Sequence, residues 1–199
     1  VHIMIENPKK FALDYIKNGA DILTFHYEAC NDENEVKEVI DIIRSNGCKV
    51  GLSIKPKTPI STVLHLLKDI DLLLIMSVEP GFGGQKYMDV ATEKIRNLRA
   101  YIDENHYDCL IEVDGGINEE TSKIAKEAGV DVEEGYRAVS KYKEQVKRTA
   151  IPGLLTDLGS FNGMFAIPKG LKNPVMVSGT DGVGTKLDVA FQMKKYDTE

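Results

Sequence analysis

Three glycines in four positions, Gly81, Gly83 and Gly84, stand in the segment VEPGFGGQ, directly after the most apolar run of the chain. Glycines so placed let successive backbone N–H groups converge on an anion, which makes this segment, Phe82 included, a candidate phosphate cradle. The alternative is an ordinary turn. A helix beginning near Asp89 comes too late to supply the anion site by itself. Lys86 occupies the position where a dinucleotide fingerprint needs its third glycine, so that motif is not met. A second junction of the same kind, IEVDGGIN, puts Asp114 at the end of an apolar run with Gly115 and Gly116 behind it. A carboxylate at the C-terminal end of a parallel strand can do acid–base work or hold a metal; otherwise it starts a turn. His2 and His26 lie on the first two apolar runs, each either a satisfied core residue or a ligand. His65 and His106 fall in helical patterns and read as surface residues.

The elements that must position these residues follow one rhythm over residues 1–131. Apolar runs at Ile3–Ile5, Ile22–Phe25, Val50–Ile54, Leu72–Val78 and Leu110–Val113 read as strands, several continuous enough to be covered on both faces. Amphipathic stretches lie between them, with Val36, Val39, Ile40 and Ile43 on one face, and Ala91, Ile95, Leu98 and Ile102 on another. Asn7-Pro8 and Thr58-Pro59 predict capped helix starts, and Gly19, Gly47 and Gly129 predict left-handed helix ends. Strands alternating with helices in this way predict a parallel α/β sheet. At residue 131 the rhythm breaks: where a strand is due, VEEGYRAVSKYKEQVKR has helical spacing. Beyond residue 150, FNGMFAIP and NPVMVSG read as two short strands, SGTDGVGTK as a Gly-rich loop and TKLDVAFQMKKY as a helix.

The chain has 199 residues with a net charge of −6, which gives no support to a nucleic-acid or anionic-membrane partner. No apolar run is long enough to span a bilayer, and no basic segment leads into an apolar one at the start. Cys30, Cys48 and Cys109 lack CxxC spacing and read as reduced, buried thiols of a cytoplasmic protein. Val1 rather than Met in first place implies that the chain starts inside a longer sequence.

In order, HIMIENP, DILTFHYEA, GLSIKPKTP, IMSVEPGFGGQKYM and IEVDGGIN closely resemble ribulose-phosphate 3-epimerases over residues 1–131. That resemblance implies a TIM barrel, here incomplete with five parallel strands corresponding to the third to seventh. It implies epimerisation at C3 between ribulose and xylulose 5-phosphates, on a sugar-phosphate substrate. It makes His2 a ligand of a divalent metal (Zn, Fe or Mn) and Asp114 both a ligand and one of two acid–base carboxylates. Gly81, Phe82, Gly83, Gly84, Gly115 and Gly116 become substrate and phosphate contacts together with His2, and Met4 and Met76 the apolar floor. In the family the opposing carboxylate and a further His ligand lie on the first two barrel strands. Members of the family are homo-oligomers, and the sequence of this chain leaves its own oligomeric state open.

Residues 128–199, through GVDVEEGYRAVSKYKEQVKRT, GSFNGMFAIPKG and PVMVSGTDGVGTKL, resemble instead the amino-terminal segment of phosphoribosylformylglycinamidine cyclo-ligase (aminoimidazole ribonucleotide synthetase). That family is a purine-pathway ligase using ATP and Mg, which implies a nucleotide loop of Gly179, Thr180, Asp181, Gly182, Gly184, Thr185 and Lys186. The tetrapeptide AGVD suits both families, so the chain reads as a chimera truncated at both ends, with a smaller α+β segment from residue 132. Three functions follow as expectations: a pentose-phosphate isomerase, an ATP-dependent ligase segment, and a phosphate-binding fragment without turnover. With one carboxylate and two ligands in hand, the chain is expected to hold metal weakly and to epimerise ribulose 5-phosphate at no useful rate.

Overall fold

A computed structural model of the chain describes residues 1–81, 84–131, 133, 137, 150, 153–155, 163–166, 170 and 175–178. The chain divides into two compact units, Val1–Val132 and Glu133–Glu199.

In the first unit the order is β1 (His2–Ile3), α1 (Pro8–Lys17), β2 (Ile22–His26), α2 (Glu33–Ser45), β3 (Lys49–Ile54), β4 (Leu72–Met76), α3 (Val90–Asn105), β5 (Leu110–Asp114) and α4 (Glu119–Ala128). The strands form one five-stranded sheet in sequential order, every neighbouring pair parallel. Parallel neighbours need a crossover over one face, and helices supply it everywhere except between β3 and β4. There two 3₁₀ turns, Ile60–Thr62 and Leu64–Asp69, make the crossing. Sequential parallel strands with helical crossovers form part of a (β/α) barrel.

Register divides each strand's residues between two duties. Leu23 and Phe25 of β2, Val50, Leu52 and Ile54 of β3, Leu73 and Ile75 of β4 and Ile111 of β5 are buried in one core with the helices' apolar faces. Leu72, Leu74, Met76 and Val78 form a separate buried cluster on the other side of β4. That is why β4 reads as an unbroken apolar run. On the same side as this second cluster, His26 pairs with Ser53, Ser53 with Leu74, Leu74 with Glu112, and Met76 with Asp114.

The helix faces match their spacing: Val36, Val39, Ile40 and Ile43 of α2 are buried, as are Ala91, Ile95, Leu98 and Ile102 of α3. Asp32 caps α2 by accepting the Glu35 amide, and Asn118 with Thr121 forms a reciprocal capping box on α4. Two of the expected caps differ. Asn7 precedes Pro8 at the start of α1, but it stands in the left-handed region at φ 61° and its side chain caps nothing. Thr58 caps no helix, because its hydroxyl donates to Glu28 and the chain enters the short 3₁₀ turns instead. The first strand is also displaced from Ile3–Ile5 to His2–Ile3, since its pairing with β2 stops at Ile3↔Phe25. Cys48 and Cys109 are buried and Cys30 is half-buried, all as free thiols. Burial pushes Cys30 and Cys109 up to about 12, which leaves neither as a nucleophilic thiolate.

In the second unit β6 (Gly163–Ala166) and β7 (Val175–Ser178) pair antiparallel, as the two short apolar runs suggested. Of the helix expected over 132–148 only Glu133 and Arg137 are described, both helical, and the helix expected after residue 184 lies outside the described residues.

One close approach fixes the packing of β2 on β3. A Cβ on Gly51 would stand 2.1 Å from Thr24 Oγ1 and 2.8 Å from Thr24 Cβ. Gly51→Ala is therefore expected to cost about 1–3 kcal/mol through overpacking. Urea unfolding of the variant beside wild type measures this, and equal midpoints and slopes would contradict it.

Candidate functional site

The C-terminal ends of the strands form one rim, and the polar residues of the sheet gather there. His2 and His26 stack with ring centroids 4.9 Å apart, and their Nε2 atoms are 2.9 Å apart. On its other side His2 presents Nδ1 to Asp114 Oδ2 at 3.9 Å. β1 and β5 are the two edges of the sheet, so this contact joins side chains from opposite ends of five strands. Burial, and next the neighbouring His26, lower His2 to about 4. Its imidazole is consequently neutral at pH 7, with a lone pair to offer.

The end of β5 is held from below by Ser77, a buried residue whose amide donates to the Asp114 carbonyl at 2.8 Å. Its hydroxyl lies 2.9 Å from the same carbonyl oxygen and 2.6 Å from that of Gly115. Gly116, at φ +62°, leaves room for no side chain: a Cβ would stand 2.3 Å from the Tyr87 backbone nitrogen. The loops after β4 and β5 therefore pack backbone against backbone, which brings the two glycine segments singled out from sequence to the same part of the rim. Gly81 and Gly84 are exposed with positive φ, while Phe82 and Gly83 lie outside the described residues. The loop is braced by Gln85, whose Nε2 donates to the Glu79 carbonyl at 2.6 Å.

Of the two methionines expected to floor the site, Met76 is buried and Met4 is 50% exposed. Met4 follows the short edge strand β1, so no strand on its outer side covers it among the described residues. The nucleotide-loop candidates Gly179, Thr180, Asp181, Gly182, Gly184, Thr185 and Lys186 lie outside the described residues.

A second polar cluster gathers around Glu28 and Lys94, of which Lys94 was not singled out from sequence. Glu28, just past β2, accepts the Lys55 amide at 2.8 Å and the Thr58 hydroxyl on Oε1, while its Oε2 faces His26 Nδ1 at 3.7 Å. Lys94 of α3 is buried and donates Nζ to the Lys55 carbonyl at 2.9 Å and to that of Thr58. Desolvation lowers its pKa, opposed by Glu28 and Glu79. The ammonium and the carboxylate thus grip the loop after β3 from two sides. Lys94 falls inside the apolar stripe Ala91–Ile95–Leu98, and a lysine within such a stripe was the one available signal. Ser77, polar at the end of an apolar run, was another.

A divalent cation fits the donor set in kind. An imidazole nitrogen and a carboxylate oxygen 3.9 Å apart lie within the span open to two ligands each about 2.0–2.2 Å from one ion. Mixed N/O donors suit Zn, Fe or Mn. Among the described residues no group of three His, Cys, Asp or Glu gathers around one ion position.

Burial pushes Glu28 up, but the facing His26, the Thr58 hydroxyl and the Lys55 amide more than reverse this and bring it down to about 2. Held below its ordinary value of 4.5, Glu28 contributes stability that is complete above pH 4.5 and lost as pH falls towards 2. Glu28→Gln is expected to be less stable than wild type at pH 7, the difference shrinking between pH 4.5 and 2. Urea melts across that range test it; a difference independent of pH would contradict the ionic role.

Residues 1–135 match the model of the ribulose-phosphate 3 epimerase family. The ribulose-phosphate 3-epimerase of Mycobacterium bovis is 46% identical over 130 residues, covering 65% of this chain and 56% of that protein. That of Bacillus subtilis is 42% identical over 133 residues, covering 66% and 60%, and that of Methanocaldococcus jannaschii 43% over 132, covering 66% and 54%. The chain spans little more than half the length of these curated relatives. The match takes in every strand of the five-stranded sheet and the rim they carry, and on it the chain belongs to the ribulose-phosphate 3-epimerase family.

Proposed function

We propose that the first unit moves the proton at C3 of a pentulose 5-phosphate, the half-reaction of ribulose 5-phosphate and xylulose 5-phosphate interconversion. The observation that carries this reading is the Asp114 carboxylate 3.9 Å from a neutral His2 at the C-terminal ends of parallel strands. Asp114, half-exposed at the rim, is open to a substrate and takes the C3 proton. The backbone amides around Gly81–Gly84 and Gly115–Gly116 hold the phosphate, and Met76 lies under the sugar. A divalent cation bound by His2 and Asp114 would stabilise the negative charge that develops on the ketone oxygen.

Inversion needs an acid and a base on opposite faces of the carbon. Among the described residues, Glu112 stands on the same strand and same side as Asp114, and Glu28 is engaged by Lys55 and Thr58. The 199-residue chain is therefore expected to exchange the C3 proton more readily than it inverts the centre, and to hold its metal weakly. Its setting is a cytoplasmic carbohydrate pathway.

For residues 132–199 we infer a separate α+β domain with a cyclo-ligase-like nucleotide loop that takes ATP and Mg, supported by the motif SGTDGVGTK following the β6–β7 pair. This makes the chain a chimera of an epimerase-like and a cyclo-ligase-like part. Calorimetric titration with MgATP is expected to show binding that Asp181→Asn abolishes, and equal heats from both proteins would refute it.

Incubation with ribulose 5-phosphate in D2O, followed by NMR at C3, tests the principal reading. Exchange is expected to fall about 10²- to 10⁴-fold in Asp114→Asn. The same exchange rate in both proteins would overturn it. Sugar-phosphate binding with no exchange in either would leave a phosphate-binding unit without turnover.

A further inference from the structure

Building on His2 as a ligand in the reading above, we infer that His26 and Glu28 are positioning residues that fix the tautomer of His2 and leave its Nδ1 lone pair directed at Asp114. The inference starts from two orphans. His26 Nδ1 and Glu28 Oε2 are both buried without a hydrogen-bond partner, and they face one another at 3.7 Å. Buried polar atoms are rarely left unpaired, and here each is the other's available complement. A carboxylate oxygen only accepts, so His26 Nδ1 is the atom that carries the proton.

The rest follows along the line of rings. With its proton on Nδ1, His26 has a lone pair on Nε2. His2 Nε2 lies 2.9 Å from that atom, a distance at which two lone pairs or two N–H groups cannot face each other. His2 Nε2 must then be the donor. A ring protonated there has its lone pair on Nδ1, the atom that faces Asp114 Oδ2. Glu28, which does not touch His2, thus selects which nitrogen of His2 is free. Glu28 is itself anchored, because the Lys55 amide and the Thr58 hydroxyl occupy Oε1 and leave Oε2 for His26. Carboxylates oriented behind ligating histidines commonly set tautomer in this way, although here the signal crosses a second imidazole.

The test is an NMR measurement on the metal-free 199-residue chain with ¹⁵N-labelled histidine, which has four rings to assign. Long-range ¹H–¹⁵N correlations at neutral pH distinguish the protonated nitrogen of each ring. Wild type is expected to show His26 protonated on Nδ1 and His2 on Nε2. In Glu28→Gln the amide oxygen takes the place of Oε1 between its two donors, which turns the NH₂ towards His26 Nδ1. Both rings are then expected to reverse, with His2 protonated on Nδ1. A folded Glu28→Gln with an unchanged His2 tautomer would overturn the inference, whereas a merely structural Glu28 would leave the ring assignment alone. Should that variant fail to fold, the wild-type spectrum decides: His2 protonated on Nδ1 there also overturns it. The readout needs no turnover, so it stands apart from the C3 exchange experiment.

Discussion

Everything at the rim depends on the curl of one sheet. Five strands at the ordinary spacing would hold their outer members about 19 Å apart if the sheet lay flat. Yet His2 on one edge and Asp114 on the other are 3.9 Å apart. Such a contact requires the sheet to bend round until its edges face each other, as strand twist and tilt make it do in a (β/α) barrel. The helices lie over one side and enforce the bend, with the apolar faces of α2 and α3 filling the space behind β2, β3 and β4.

The same bend separates stability from chemistry. Alternation sends every second side chain to the helix-covered face, and there nearly all are Val, Leu, Ile or Phe. On the other face the buried apolar cluster holds no helix residue among the described residues, and Thr24, His26, Ser53, Glu112 and Asp114 stand there in register. β4 alone is apolar on both sides, and it supplies the buried Leu72, Leu74 and Met76 around which the polar residues are arranged. Parallel order then aligns the C-terminal ends, so that loops after different strands meet, as Gly116 and Tyr87 do.

Much of this was legible in the chain itself. Apolar runs and left-handed glycines are local signals, and the five strands, the helix faces and the ends at Gly19, Gly47 and Gly129 are all found where those signals lie. His2 and Asp114 could be singled out by their positions on such runs. So could His26, but which side chains would meet could not. His26 meets His2 across 24 residues, Glu28 meets Lys55 across 27, and Lys94 meets Lys55 across 39. No periodicity links residues so far apart; only the sheet order and its register do. Thr58 before Pro59 shows the local signal failing outright, since the same hydroxyl that could cap a helix is drawn to a buried carboxylate instead.

That carboxylate and Lys94 show why a rim of this kind needs buried charge. The loop after β3 holds its Lys55 and Thr58 carbonyls in part-buried positions, and a buried carbonyl left bare carries a desolvation cost of about 1–3 kcal/mol. The Lys55 carbonyl accepts the Thr58 amide at 3.1 Å and has a lone pair left for a second donor. One ammonium can donate to both, and Lys94 reaches them from the first turns of α3. A buried ammonium in turn requires a nearby negative charge, which Glu28 provides through the same loop. Once Glu28 is committed to the loop by one oxygen, its second oxygen is directed at His26, and the bracing of this loop ends by orienting the ring beside His2. The geometry of the candidate site is in this respect a consequence of how the fold satisfies its own backbone.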